Sequence, residues 1–206
     1  MTEVLLIRHG LCDSVGRAIA GRAGGVHLNA AGVQQARRLA DRLRALPIAA
    51  VYSSPLERAR ETAAPLGKRL GLPVRIASGL DELDFGAWTG RTLESLRGEP
   101  DWDRFNAERG STRIPGGESM GEVVGRAGAE LTRIAAEHPG RLVAAVSHGD
   151  VIRALLADFA GIPLDRMLRL EVAPASVSLV RLTGEPLVLT VNWRSDGLGP
   201  FELPAR

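Results

Sequence analysis

Apolar and polar positions fall into short blocks whose spacing changes from strand-like to helix-like and back along the chain. Val4-Leu5-Leu6-Ile7 is an unbroken apolar run bounded by charge, the pattern of a strand buried on both faces of a parallel sheet. Over residues 29–46 apolar side chains recur at Val33, Ala36, Leu39, Ala40 and Leu43, a helical spacing that stops before Pro47. Residues 48–52 predict a second strand. Ser54-Pro55-Leu56-Glu57 then predicts a helix start, with Ser54 as N-cap, Pro55 at the first helical position and Glu57 completing a capping box. That helix runs to Leu70 and ends at Gly71. A third strand is expected over residues 74–77, a long helix over 118–137, a fourth strand over 142–146 and a helix over 151–160 that stops at Gly161. Residues 177–182 and 187–193 predict two late strands, joined through residues 183–186 by a connection short enough for a hairpin.

Strand and helix alternate for most of the length, which predicts one α/β domain over residues 1–206 with a mostly parallel sheet and helices on both faces. Residues 84–118 break the alternation. They are rich in Gly, Arg and Trp with weak periodicity, and predict a substrate-cap excursion lying over the sheet edge. The stretch from Ser195 onward, with two prolines and two glycines, predicts a loosely held tail.

Composition narrows the function classes. With 206 residues, 45% hydrophobic and 24% charged, the chain has the makings of a folded core. Net charge is +2, and Lys68 is the only lysine among 26 basic residues. Arg and Glu alternate along the predicted helices, a solvated pattern rather than the one-sided basic face of a nucleic-acid binder. Cys12 is the only cysteine, so no internal disulfide forms and a reducing compartment is expected. No basic leader and no apolar run of membrane-spanning length is present, which predicts a cytoplasmic chain without a membrane partner.

Ligands of open parallel sheets bind beyond the carboxyl ends of the strands. Arg8-His9-Gly10 follows the first predicted strand, Ser53-Ser54 the second with Arg58 one turn into the next helix, Glu82 the third, and Ser147-His148-Gly149-Asp150 the fourth. Two histidines, two arginines and a carboxylate are thereby expected at one end of the sheet. Arginines grip phosphate through paired donors, helix N-termini add partial positive charge, and a neutral imidazole attacks phosphorus. A carboxyl group can protonate the leaving oxygen and then activate water. This set needs no metal and no cofactor.

Arg8-His9-Gly10, residues 53–59 (SSPLERA), residues 80–90 (LDELDFGAWTG) and Ser147-His148-Gly149 together resemble the histidine phosphatase superfamily, the phosphoglycerate-mutase-like group. The resemblance covers residues 3–182. It implies a three-layer α/β/α sandwich and a phosphomonoester hydrolase that forms phosphohistidine on His9. It implies that Arg8, Arg58 and His148 bind the phosphoryl group and that Glu82 is first proton donor and then base. Asp81 and Asp84 are the acidic neighbours that compete for that last role. The loop Leu11 to Val15 departs from the family pattern, which often has Glu-Thr and then a phosphate-contacting Asn; Ser14 is the residue available to replace that Asn. A further family arginine falls on Arg17 or Arg22, with Arg17 preferred. Trp88-Thr89-Gly90 replaces the frequent Trp-Glu-Gly. The chain lacks the expanded middle segment expected of a cofactor-dependent mutase, which favours hydrolysis.

Other residues take blander readings. Asp150 reads as first-turn helix charge, Arg60 as lying on another helical face, and His27 and His138, in loop or helix-end contexts, as structural or solvated residues rather than ligands. Trp88 and Trp102 are either packing residues or substrate rim. A cysteine phosphatase needs Arg six positions after its Cys, and that position after Cys12 is Ala18. The expected partner is a small phosphorylated substrate. A homodimer is left open, and a mutase or a non-catalytic phospho-ligand binder are the rival functions.

Overall fold

A computed structural model of the chain describes residues 1–182, 184–197, 201 and 203. Among them, six strands form one sheet: β1 (Thr2–Arg8), β2 (Ile48–Ser53), β3 (Val74–Ile76), β4 (Leu142–Ser147), β5 (Val177–Leu182) and β6 (Leu187–Trp193), in the order β3-β2-β4-β1-β5-β6. The first four are parallel, and β5 and β6 extend the sheet on one side through antiparallel pairings. The sheet is therefore mostly parallel, as the alternation predicts.

The apolar run in β1 is continuous because both faces are covered. Val4 and Leu6 join one core with Val123 and Leu131 of α5 (Met120–Glu137) and Ile152 and Leu155 of α6 (Gly149–Phe159). Leu5 and Ile7 join the other with Leu39 and Leu43 of α1 (Ala30–Leu43) and Ala59 and Leu66 of α2 (Glu57–Leu70). The period of two along the strand sends alternate side chains into opposite layers, which gives the three-layer α/β/α sandwich.

The weakly periodic excursion contains two short helices that the sequence does not announce, α3 (Leu93–Leu96) and α4 (Pro100–Ala107). They exist because Leu96 and Phe105 are buried against Trp88 and Ile114, so packing compensates for poor local patterning. Hydrogen bonds between Asp84 and Glu118 tie the two ends of this segment together.

Two expectations need correction. Ser54 does not cap α2: the helix begins at Glu57 with Leu56 at the N-cap and no side-chain cap. The capping box lies instead at Ser119 and Glu122, ahead of α5. The tail is not uniformly loose, since Phe201 is buried and its ring meets that of Trp193 at 5.0 Å between centroids. Residue 183 of the hairpin connection and tail residues 198–200, 202 and 204–206 lie outside the described residues. Among the described residues no helix is long and apolar enough to cross a membrane.

Candidate active site

The carboxyl ends of β1, β2 and β4 and the loop after β3 open into a cavity of about 310 Å³. Its lining includes Arg8, His9, Ser14, Arg58, Glu82, Trp102, Arg109, Asp150 and Arg153.

His9 is 4% exposed. Its Nδ1 lies 2.7 Å from the carbonyl oxygen of Gly10, an acceptor only, so Nδ1 carries the proton and Nε2 keeps its lone pair. Burial, and then Arg58 and Arg8, hold the imidazole pKa down to about 3, so the ring is neutral at physiological pH. Gly10 is needed for this turn. A Cβ there would stand 2.8 Å from the carbonyl oxygen of Gly32, in the first turn of α1.

Around His9 the cationic donors are only partly satisfied. The Arg58 guanidinium is fully enclosed, donating from Nη2 to the Gly21 carbonyl at 2.8 Å while Nη1 has no partner. Arg8 donates from Nη1 to the Val172 carbonyl at 2.6 Å, and its Nε has no partner. Gly149 lets it lie there, because a Cβ would sit 3.1 Å from Arg8 Cζ. Buried donors left without acceptors cost free energy unless an incoming anion meets them.

His148 is the N-cap of α6 and fully buried, its ring 5.2 Å from that of His9 between centroids. Its Nε2 is 2.7 Å from Ser54 Oγ, and its unpartnered Nδ1 is 3.8 Å from Glu82 Oε2. Burial, then the neighbouring His9 and arginines, lower its pKa well below the ordinary histidine value. Glu82 responds in the opposite sense. Burial, reinforced by Asp150, raises its carboxyl to about 7 against the pull of Arg58, the Leu83 N–H and Arg8. A carboxyl poised there can both give and take a proton near neutrality. Its backbone is clamped: Arg22 and Arg126 both donate to the Glu82 carbonyl, at 2.8 and 3.0 Å, and both pair with Glu118.

The structure brings Arg8, His9, Arg58, Glu82 and Ser14 together in the lining, with His148 buried directly behind His9 and Glu82 and outside the lining itself. It does not bring Arg17, which is exposed and absent from the lining. Its neighbours on either side, residues 14–16 and 18–21, do line the cavity. Arg22 also stops short, committed to Glu118 and the Glu82 carbonyl. Trp102 is rim, whereas Trp88 is packed into an aromatic cluster with Trp102 and Phe105. His27 bonds Glu61, His138 meets Tyr52, and Arg60 is exposed, all away from this cavity.

Three lining residues exceed the sequence reading. Asp150 is more than helix charge: it lies 3.5 Å from Arg153 and 4.0 Å from Arg109. Arg109, in the excursion, is 5% exposed and keeps Nε and Nη1 without hydrogen bonds, Nη1 being the atom 4.0 Å from Asp150, while Phe105 lies under its guanidinium. It is one of five arginines in the predicted substrate cap, and nothing in its spacing shows that it, rather than the others, is buried. Arg153, one turn beyond Asp150, could have been found from its i, i+3 offset.

Cys12 Sγ is 3.8 Å from His9 Nδ1, and burial raises its thiol pKa to about 11. It is a neutral packing group. Cys12→Ser is expected to keep kcat within about threefold, measured on any ester the chain hydrolyses.

The family described as the histidine phosphatase superfamily (branch 1) matches residues 4–194. A bifunctional protein of Mycobacterium tuberculosis is 38% identical over 196 residues; the match covers 93% of this chain but 54% of that protein, so the chain spans about half the length of this relative. A Salmonella choleraesuis protein named probable phosphoglycerate mutase GpmB is 34% identical over 183 residues, covering 87% of this chain and 85% of the relative. Among solved structures, a mycobacterial glucosyl-3-phosphoglycerate phosphatase in complex with VO3 superposes with a TM-score of 0.84 at 29% identity, covering 93% of this chain and 98% of that one.

Proposed function

This chain belongs to branch 1 of the histidine phosphatase superfamily, and from that premise we propose that it is a metal-independent phosphomonoester hydrolase acting through a covalent phosphohistidine on His9. The observation that carries the reading is the His9 tautomer: Nδ1–H held by the Gly10 carbonyl, Nε2 free in a cavity lined by Arg8, Arg58 and Glu82. In the first step Nε2 attacks phosphorus in line, the bond to the ester oxygen breaks, and Glu82 protonates the departing alcohol. In the second, Glu82 takes a proton from water, which attacks phosphohistidine and releases inorganic phosphate. Arg8, Arg58 and His148 meet the phosphoryl oxygens, the charge that most needs stabilising. Ser14 adds a hydroxyl from the altered loop.

The test is a screen of phosphate esters read as released inorganic phosphate, with His9→Ala as control and a chelator added in parallel. Turnover that survives the chelator and vanishes in the variant supports the reading. Tight phosphate binding with no hydrolysis of an activated aryl phosphate would replace it with a non-catalytic binder. The relative named as a probable phosphoglycerate mutase favours one alternative, transfer within a sugar acid. Product analysis separates the two: isomerised ester for a mutase, free phosphate for a hydrolase.

Residues 84–118 form the substrate cap in this reading, and Arg109 with Arg153 faces the part of the substrate beyond its phosphoryl group. Arg109→Ala is expected to raise KM about tenfold to a hundredfold for esters carrying a second anionic group, with a far smaller change for phenyl phosphate. Equal losses on both substrates would place Arg109 in the scaffold instead.

A further inference from the structure

We propose that Ser54 and Asp81 are positioning residues that let the buried His148 ring take up a proton when a tetrahedral dianion enters the cavity. The proposal rests on the cavity being a phosphoryl site, but not on any turnover there.

Hydrogen-bond direction supplies the first step. Ser54 Oγ lies 3.2 Å from Asp81 Oδ1 and 2.7 Å from His148 Nε2. A carboxylate only accepts, so the single Ser54 proton points to Asp81, and Nε2 must donate to Ser54. The Leu56 N–H also reaches Ser54 Oγ, at 3.3 Å, which fits a hydroxyl acting as acceptor. A neutral His148 then has no proton on Nδ1. That atom is buried, has no partner and lies 3.8 Å from Glu82 Oε2. In this state it offers a lone pair where an anion requires a donor. Only the imidazolium presents N–H groups at both ends.

The surroundings explain why the charge waits for the ligand. Arg8 from β1, Arg58 from α2 and Arg126 from α5 oppose a proton on His148, as does His9. On the other side stand Asp81, with Oδ1 at 4.0 Å from Nε2, and Glu82. Asp150 and Arg153 of α6 lie further along the cavity wall. An arriving dianion offsets the arginines, and the Asp81–Ser54 chain stabilises the Nε2 end of the cation. The proton comes from solvent and returns when the anion leaves. This also accounts for Ser54 at the site where a helix cap is expected: its hydroxyl is committed to the relay.

Asp81→Asn isolates the charge. Asn keeps an oxygen to accept from Ser54 and from the Glu82 N–H, which Asp81 Oδ1 binds at 2.9 Å. The probe is inorganic sulfate, a tetrahedral dianion whose own charge is constant from about pH 5 to about pH 8, the range where histidine ordinarily titrates. Ring-nitrogen NMR on ¹⁵N-histidine protein, with His148 assigned from the His148→Gln spectrum, reads its protonation directly and so separates it from Glu82. At neutral pH, sulfate is expected to convert wild-type His148 to imidazolium. In Asp81→Asn and Ser54→Ala the ring stays neutral and sulfate binds about tenfold more weakly, the equivalent of about one pH unit in the linked titration. The double variant is expected to lose little more than either single one.

A neutral His148 in sulfate-bound wild type, or variants that match wild type in ring protonation, would overturn the proposal. Sulfate binding with a charged His148 supports it even if no ester is hydrolysed, a result that would defeat only the phosphatase reading. Wild type that binds no sulfate overturns both.

Discussion

Alanine at position 9 is expected to reduce hydrolysis of every phosphate ester to background, a loss of at least about ten-thousand-fold in kcat, and to abolish phosphoryl labelling of the protein. The size follows from the lack of a substitute. The thiol nearest the His9 ring, Cys12, faces Nδ1 and not the attacking Nε2, and its pKa of about 11 keeps it protonated. His148 is enclosed, with Nε2 bound to Ser54. Arg8 and Arg58 remain, so the variant should still bind phosphate, and its dissociation constant for inorganic phosphate, read by calorimetry, should move by less than about tenfold. Measured kcat, acid-labile labelling and direct phosphate binding together make the result specific. A His9→Ala protein retaining about a hundredth of wild-type turnover would rule out His9 as nucleophile.

What the chain discloses without coordinates depends on whether a signal is local. Strand β1 is legible because Val4 to Ile7 are all apolar, and the strand-tip position of His9 follows from it. Glu82 is legible as a candidate because it lies a few residues past a predicted strand, inside the stretch over 80–90 that carries the family resemblance, although Asp81 and Asp84 compete with it. Its raised pKa is not, because that depends on Asp150, 68 positions away in the sequence, and on burial contributed by several elements. Ser54 misleads for a physical reason. Its hydroxyl suits an N-cap, but a buried imidazole and a carboxylate from other elements bind it instead, and the helix opens three residues later without a side-chain cap. Arg17 is harder to place: residues 14–16 and 18–21 of its loop line the cavity, while Arg17 is exposed outside it. Arg109 is hidden because its neighbour Phe105 and its companion Asp150 are joined to it only by the folded cap.

The cavity is also a place where stability is given up. Unpartnered donors on Arg8, Arg58 and Arg109, with a carboxyl held at about 7, are the unsatisfied groups a well-packed core would avoid. Their common remedy is an anion, so inorganic phosphate or sulfate should raise the unfolding temperature, the increase growing with the logarithm of its concentration once that exceeds Kd.

Glu82→Gln separates chemistry from stability. For activity, wild type needs the Glu82 proton in the first step, so kcat/KM should fall as pH rises through about 7, the folded pKa. The His9 ring gives no competing limb near neutrality, since it loses its proton at about 3. The glutamine variant should lose the Glu82 contribution to the descending limb, keeping only the fall due to the proton His148 takes up with the dianion, and about a hundredfold to a thousandfold in turnover of alkyl phosphates, whose leaving oxygen needs a proton. With an activated aryl phosphate the first step survives while the second lacks its base. A burst of one phenol per site and accumulated phosphohistidine should follow. Stability moves the other way. The folded pKa lies above the ordinary carboxyl value, so Glu82 is tolerated best below about 4.5 and weakens the fold as pH rises from there through about 7. Across that window the cost grows to about 3 kcal/mol at most, and it stays constant in more alkaline solution. A glutamine side chain carries no such charge, so the variant should unfold at a higher temperature than wild type above neutrality and at a similar one near pH 4.5. An unchanged alkaline limb together with an unchanged thermal profile would mean that the proton passes through another group, with Asp150 the first to test.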